Sequence, residues 1–168
     1  CGGGGGASYL SKDYTDGNVF SGGWTEQKVI GNISWSIYSG SNNAAQITNY
    51  NYGTLSNTAC ETWYISPSVD LSASTSPVFN FRNVCRYNGS AMVVYVSTDY
   101  TSGAPSTATW TTLTCNLDAN TSVWTWVDSG DVDFSAYKTS NVHVAFKYTG
   151  TDSDGRTWEI DDIYIQEP

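Results

Sequence analysis

The chain has one histidine, one methionine and 7 basic residues among 168, and only 14% of its residues are charged. The lone histidine removes most imidazole chemistry. His143 lies between Val142 and Val144 in strand-like sequence, so a Ser-His-Asp or Cys-His set would need its ring on an open face with a nucleophile across a sheet. Sixteen acidic residues against 7 basic ones leave a net charge of −9, which repels nucleic acid over most of the surface. No run of about 18 apolar residues occurs, so no apolar helix crosses a bilayer. Strong helix formers are scarce as well, with five leucines, whereas aromatics reach 14% and Ser, Thr, Asn and Gly fill much of the rest. That balance favours strands and turns.

What is present is period-2 alternation. Val142, Val144, Phe146 and Tyr148 fall on one parity and His143, Ala145 and Lys147 on the other, the pattern of a half-buried strand. Met92, Val94 and Val96 alternate with Val93, Tyr95 and Ser97, which predicts a central strand covered on both faces. Further strands are expected over 62–66, 78–86, 110–114, 123–127 and 158–166, separated by the turns Asn88-Gly89, Ser102-Gly103 and Asp154-Gly155. Many short strands without a helix predict an all-β, two-sheet jelly-roll sandwich over residues 9–168. In the last strand Trp158 and Ile160 share one parity and Ile163 and Ile165 the other, so a β-bulge at Asp161-Asp162 is needed to bury all four. The bulge would bring two carboxylates together, in a region where nine acidic residues from Asp128 onward face three basic ones. Such carboxylates repel unless a cation compensates.

Cys1 is followed by five glycines, and residues 1–8 read as a flexible tether. A terminal cysteine before a glycine run predicts a mature bacterial lipoprotein acylated on Cys1, held on the extracellular face of the outer membrane. Cys60, Cys85 and Cys115 have no zinc-site spacing and read as small buried hydrophobes or as one cross-strand disulfide plus an odd thiol. The acids fall in turns and on polar strand faces, where ordinary pKa values are expected, so the reading is non-catalytic. Seven Trp and twelve Tyr exceed what one core needs. Tyr9, Tyr38, Tyr50, Tyr52 and Tyr100 lie in or near loop-like sequence, and Tyr50-Asn51-Tyr52 before Gly53 is the expected ligand-binding loop. Trp124 and Trp126 share a parity, which suits core packing better than a stacking platform.

Seven segments in order resemble the jelly-roll domains called choice-of-anchor J, cleaved-adhesin or MAM-like, found on surface lipoproteins of Bacteroidetes. They are 12–17, Gly23-Trp24, 63–67 running into 69–71, 96–100 with 108–110, 129–137, 144–148 and the closing Thr157-Trp158-Glu159-Ile160-Asp161-Asp162-Ile163. The resemblance implies a galactose-binding-like sandwich stabilised by structural calcium. An acidic residue after the first N-terminal aromatic would share the ion with the first Asp of the Ile-Asp-Asp strand. Asp161 fits the second role. Thr15 stands where a Glu is common, leaving Asp13 or Asp16 and backbone carbonyls as the other ligands. The expected function is a non-enzymatic binding or adhesion module on a glycan or an extracellular matrix component. The alternative is a self-associating subunit of a surface layer or fibre.

Overall fold

The alternating segments pair into two antiparallel sheets stacked face to face, in a computed structural model that describes residues 6–120 and 123–168. In chain order the strands are β1 (Ser8–Lys12), β2 (Thr25–Ile30), β3 (Ser36–Ser39), β4 (Asn43–Ile47), β5 (Tyr50–Asn51), β6 (Ser56–Asn57) and β7 (Cys60–Ile65). Then come β8 (Val78–Arg86), β9 (Val93–Ser97), β10 (Thr111–Thr112), β11 (Val127–Asp128), β12 (Val132–Asp133), β13 (His143–Gly150) and β14 (Thr157–Gln166). One sheet runs β11-β8-β14-β4-β3, with β1 also on β14 and β12 on β8. The other runs β10-β9-β13-β7-β2, and β5 and β6 form a separate hairpin. The only helical pieces among the described residues are three-residue 3-10 turns. This is the two-sheet sandwich that the alternation predicts.

The interior is built from one parity of each long strand. Phe79 and Phe81 of β8, Val144, Phe146 and Tyr148 of β13, and Trp158 and Ile160 of β14 are all fully buried. Each such side chain contributes roughly 1.5–3 kcal/mol by leaving water. The expected bulge is present: the β14–β8 register shifts between Asp161 and Tyr164, and Asp162 has φ +48°. Its position has a topological cause. Residues 158–160 of β14 pair with β4, whereas residues 163–166 pair with β1, so the strand changes neighbour at the bulge. The extra residue returns Ile163 and Ile165 to the core face. At the N-terminal end Ser8 opens β1 and the Ala7 carbonyl accepts the Glu167 N–H at 2.8 Å, so the sheet takes hold of the chain at the end of the glycine run.

Five expectations are corrected. Strand β13 is covered on both faces, because Ala145 packs with Trp63, Ile65 and Tyr100 in a second apolar cluster on the outer face. That cluster is capped by the segment 99–110, and Tyr100, expected in an open loop, is buried in it. The expected strands 110–114 and 123–127 shrink to β10 and β11. Trp124 is exposed and Val123 more so, which overturns core packing of the Trp124–Trp126 pair. Trp126 instead lies beneath the Arg82 guanidinium, 5.6 Å from its ring centre. The possible disulfide is not formed: Cys60, Cys85 and Cys115 are free thiols, the first two buried, and burial pushes each pKa up to about 11.

Candidate functional site

Asn49 follows β4 and is 1% exposed, yet all its polar atoms are used. Its Nδ2 donates to the carbonyls of Thr58, Thr151 and Asp154 at 2.9–3.0 Å. Its Oδ1 accepts from Asn57 Nδ2 and from the Tyr148 hydroxyl. One amide therefore joins the β5–β6 hairpin to the β13–β14 turn. The close fit depends on two glycines, since a Cβ at Gly150 or Gly155 would overlap the Asn49 amide. The turn after β8 joins the same assembly, with the Gly155 N–H donating to the Asn88 carbonyl at 3.0 Å.

These three joined loops surround an open cleft of about 640 Å³, walled by Tyr50, Tyr52, Arg86, Tyr87, Asn88 and Asp154. The rings of Tyr50 and Tyr52 meet edge to face at 4.9 Å. Tyr52 is 71% exposed and Tyr87 51%. Tyr87 has φ +72°, an uncommon conformation for a bulky residue, and its carbonyl is held by Asn120 Nδ2 at 2.7 Å. The Arg86 guanidinium lies 5.6 Å from the Tyr87 ring centre, and Trp124 meets that ring edge-on at 6.4 Å. The Tyr87 hydroxyl beside it raises the pKa of Tyr52 above the ordinary tyrosine value, so the Tyr52 phenol stays neutral near pH 7. The cleft thus offers apolar ring faces beside neutral and charged hydrogen-bonding groups on a fixed frame.

The structure brings Tyr50 and Tyr52 of the expected ligand loop into this cleft. Asn51 turns away, its Oδ1 accepting the N–H groups of Gly53 and Thr54 to close the hairpin. Sequence reasoning missed Arg86, Tyr87, Asn88 and Asp154 as cleft residues, although Asn88-Gly89 and Asp154-Gly155 were legible as turns. Cys1 lies outside the described residues.

The expected metal ligands are placed as follows. Asp161 is 9% exposed at the bulge, where burial pushes its carboxyl up to about 6, helped by the charge of Asp162 and opposed by the Asp162 N–H. Glu159, two residues before it, is also buried and raised, and accepts from Gln46 Nε2 at 2.8 Å. The ordinary pKa values expected of these acids are therefore corrected at both positions. Asp13 is near enough to Asp161 to raise it further, but its Oδ1 is engaged by the Thr15 N–H and hydroxyl. Asp16 is directed to the Asn18 N–H and the Ser21 hydroxyl. No three acidic, His or Cys side chains gather into a metal site among the described residues. A calcium ion on Asp161 and Asp13 would have to draw most of its 6 to 8 oxygens from backbone and water.

Comparison with solved structures places this architecture. Over 98% of this chain and 100% of the other, it superposes on the K3 cleaved adhesin domain of Lys-gingipain from Porphyromonas gingivalis, with a TM-score of 0.67 at 18% identity. The chain has the cleaved-adhesin fold. The same sandwich matches TmCBM61, solved in complex with β-1,4-galactotriose, at a TM-score of 0.55 and 13% identity over 96% of this chain and 99% of that one. It also matches the family 11 carbohydrate-binding module from Clostridium thermocellum, solved with a β-1,3-1,4-mixed-linked tetrasaccharide, at 0.51 and 15% identity over 95% of each chain. No family model and no curated protein matches the sequence. At these identities the likeness concerns the fold, and function has to be argued from the site.

Proposed function

We propose that this domain is a non-catalytic binding module of the cell exterior that holds a glycan in the cleft of Tyr50, Tyr52 and Tyr87. One observation carries the reading: exposed tyrosine rings stand beside Arg86, Asn88 and Asp154 around one cleft, on loops locked by Asn49. Sugar rings present an apolar C–H face and a rim of hydroxyls, and tyrosine rings with flanking amides, a guanidinium and a carboxylate complement both. A fixed frame keeps the ordering cost of binding low. Sandwiches of this shape solved with galactotriose and with a mixed-linked tetrasaccharide support the same ligand class.

The reading includes acylation of Cys1, supported by the glycine run behind it, and a structural calcium on Asp161 and Asp13. The calcium is supported by a buried bulge carboxylate that holds its proton to about 6, a group that a cation would stabilise. The purified domain on an oligosaccharide array tests the ligand class. Binding to a set of related glycans, lost when Tyr50 and Tyr52 are replaced by Ala, is the expected result; an array without any binder would refute the reading.

A further inference from the structure

A second cleft lies at the other end of β13, and it holds a group that the tyrosine cleft does not explain. His143, the first residue of β13, lines it at 5% exposure, and its Nδ1 is enclosed without a hydrogen-bond partner. Buried polar atoms in folded proteins are almost always paired, so the enclosed Nδ1 marks His143 as an unsatisfied polar side chain in the wall of the cleft. The ring is fixed in place by Tyr100, which meets it edge to face at 5.0 Å. Burial lowers the pKa of His143, so the ring is neutral near pH 7 and carries one donor and one acceptor nitrogen.

The remainder of the wall is equally specific in its chemistry. Thr25 and Gln27 of β2, Ser68, Ser102 and Asn141 line a volume of about 460 Å³, together with the apolar ring of Pro67. Asn141 is oriented by two bonds, donating to the Tyr100 carbonyl at 2.8 Å and accepting from the Ser68 hydroxyl at 2.6 Å. No charged side chain lines this cleft. A charged ligand would lose hydration here with no opposite charge to replace it. Hydroxyls and amides that both donate and accept at short spacing match a ligand that does the same, which is a ring of neutral hydroxyls. We infer that this cleft is a second carbohydrate subsite, taking a neutral sugar residue against His143, Asn141, Gln27 and Thr25. It is independent of the tyrosine cleft, from which it is separated by the length of β13, on the order of 25 Å at a strand rise of about 3.3 Å per residue.

His143 is the only histidine, so its imidazole C–H signals can be followed by proton NMR without labelling. The probes are β-1,4-galactotriose, cellotetraose, xylotetraose and digalacturonate, each titrated to millimolar concentration into the parent domain, a Tyr52→Ala/Tyr87→Ala variant and Gln27→Ala. The expected result is a saturable shift of the His143 signals with a neutral oligosaccharide, retained in the tyrosine variant. Gln27→Ala, on a half-exposed position of the edge strand, should weaken that response by about 2- to 10-fold, the size of one neutral hydrogen bond. No shift with any neutral probe, a response to digalacturonate alone, or loss of the shift in the tyrosine variant would each overturn the inference. Binding at the tyrosine cleft is read separately, by tyrosine and tryptophan fluorescence, so the two sites fail or stand independently.

Discussion

Asn49 and Asp161 are both buried polar residues, and they have opposite effects on the fold. Asn49 satisfies three carbonyls in two loops, so Asn49→Ala leaves those acceptors to water or to nothing. The expected cost is about 1–3 kcal/mol for each group left buried and unpaired. Amide exchange in 50–58 and 151–155 should speed up before the rest of the sandwich loosens, and uniform exchange throughout would contradict the hub. Nothing local marks Asn49 in the sequence, because Asn-Tyr-Asn-Tyr-Gly reads as loop and its partners Thr151 and Asp154 lie about a hundred positions away. Asp161 is destabilising when charged. Its pKa rises from 3.8 in the unfolded chain to about 6, so the native state holds the proton more tightly and loses stability as pH rises through that window. Without calcium, Asp161→Asn should melt above the parent at pH 7, with the difference vanishing below about pH 4. Calcium at about 100 times its Kd would stabilise the parent by roughly 2.7 kcal/mol and the variant far less. Identical parent curves in EDTA and calcium would remove the ion from the account.

At the level of elements, the long strands were legible and the short ones were not. β8 and β13 carry apolar residues at period 2, β14 does so on either side of Asp161-Asp162, and the parity break there located a real bulge. β2 and β3 carry mostly half-buried or exposed residues, so burial imposed no alternation for the sequence to display. The segments 110–114 and 123–127 alternate Trp, Thr and Val as strands do, but long-range packing sets them largely as covering loops. β2 is also the free edge of its sheet, and Val29 and Ile30 are 51% and 52% exposed there. A bulge between Lys28 and Ile30 and the charges of Glu26 and Lys28 blunt that edge. The glycan-binding account therefore predicts a monomer by size-exclusion chromatography, with and without calcium. A larger species dispersed by Ile30→Lys would instead favour the self-associating subunit, with β2 as its contact.

For the whole molecule, the sandwich holds the two clefts at opposite ends of β13, so one domain could engage two points on a glycan chain or two chains. Two linked contacts raise avidity without any new interaction, provided the span between them is fixed. If Cys1 is acylated, mass spectrometry of the native protein will find acyl chains on its N-terminal peptide, and a free or disulfide-bonded Cys1 in membrane extracts would refute the anchor. The fold followed from alternation and the ordered motifs, while the cleft did not, because its walls come from three loops that are distant in sequence and joined only through Asn49. Calorimetric titration of the best array ligand into the parent and into Tyr52→Ala/Tyr87→Ala tests the central claim most directly. Glycan binding at the tyrosine cleft predicts saturable binding by the parent and loss of that cleft's share in the variant, leaving only what the His143 cleft holds, with unfolding free energies within about 0.5 kcal/mol because both rings are exposed. Equal binding by the two proteins would contradict it.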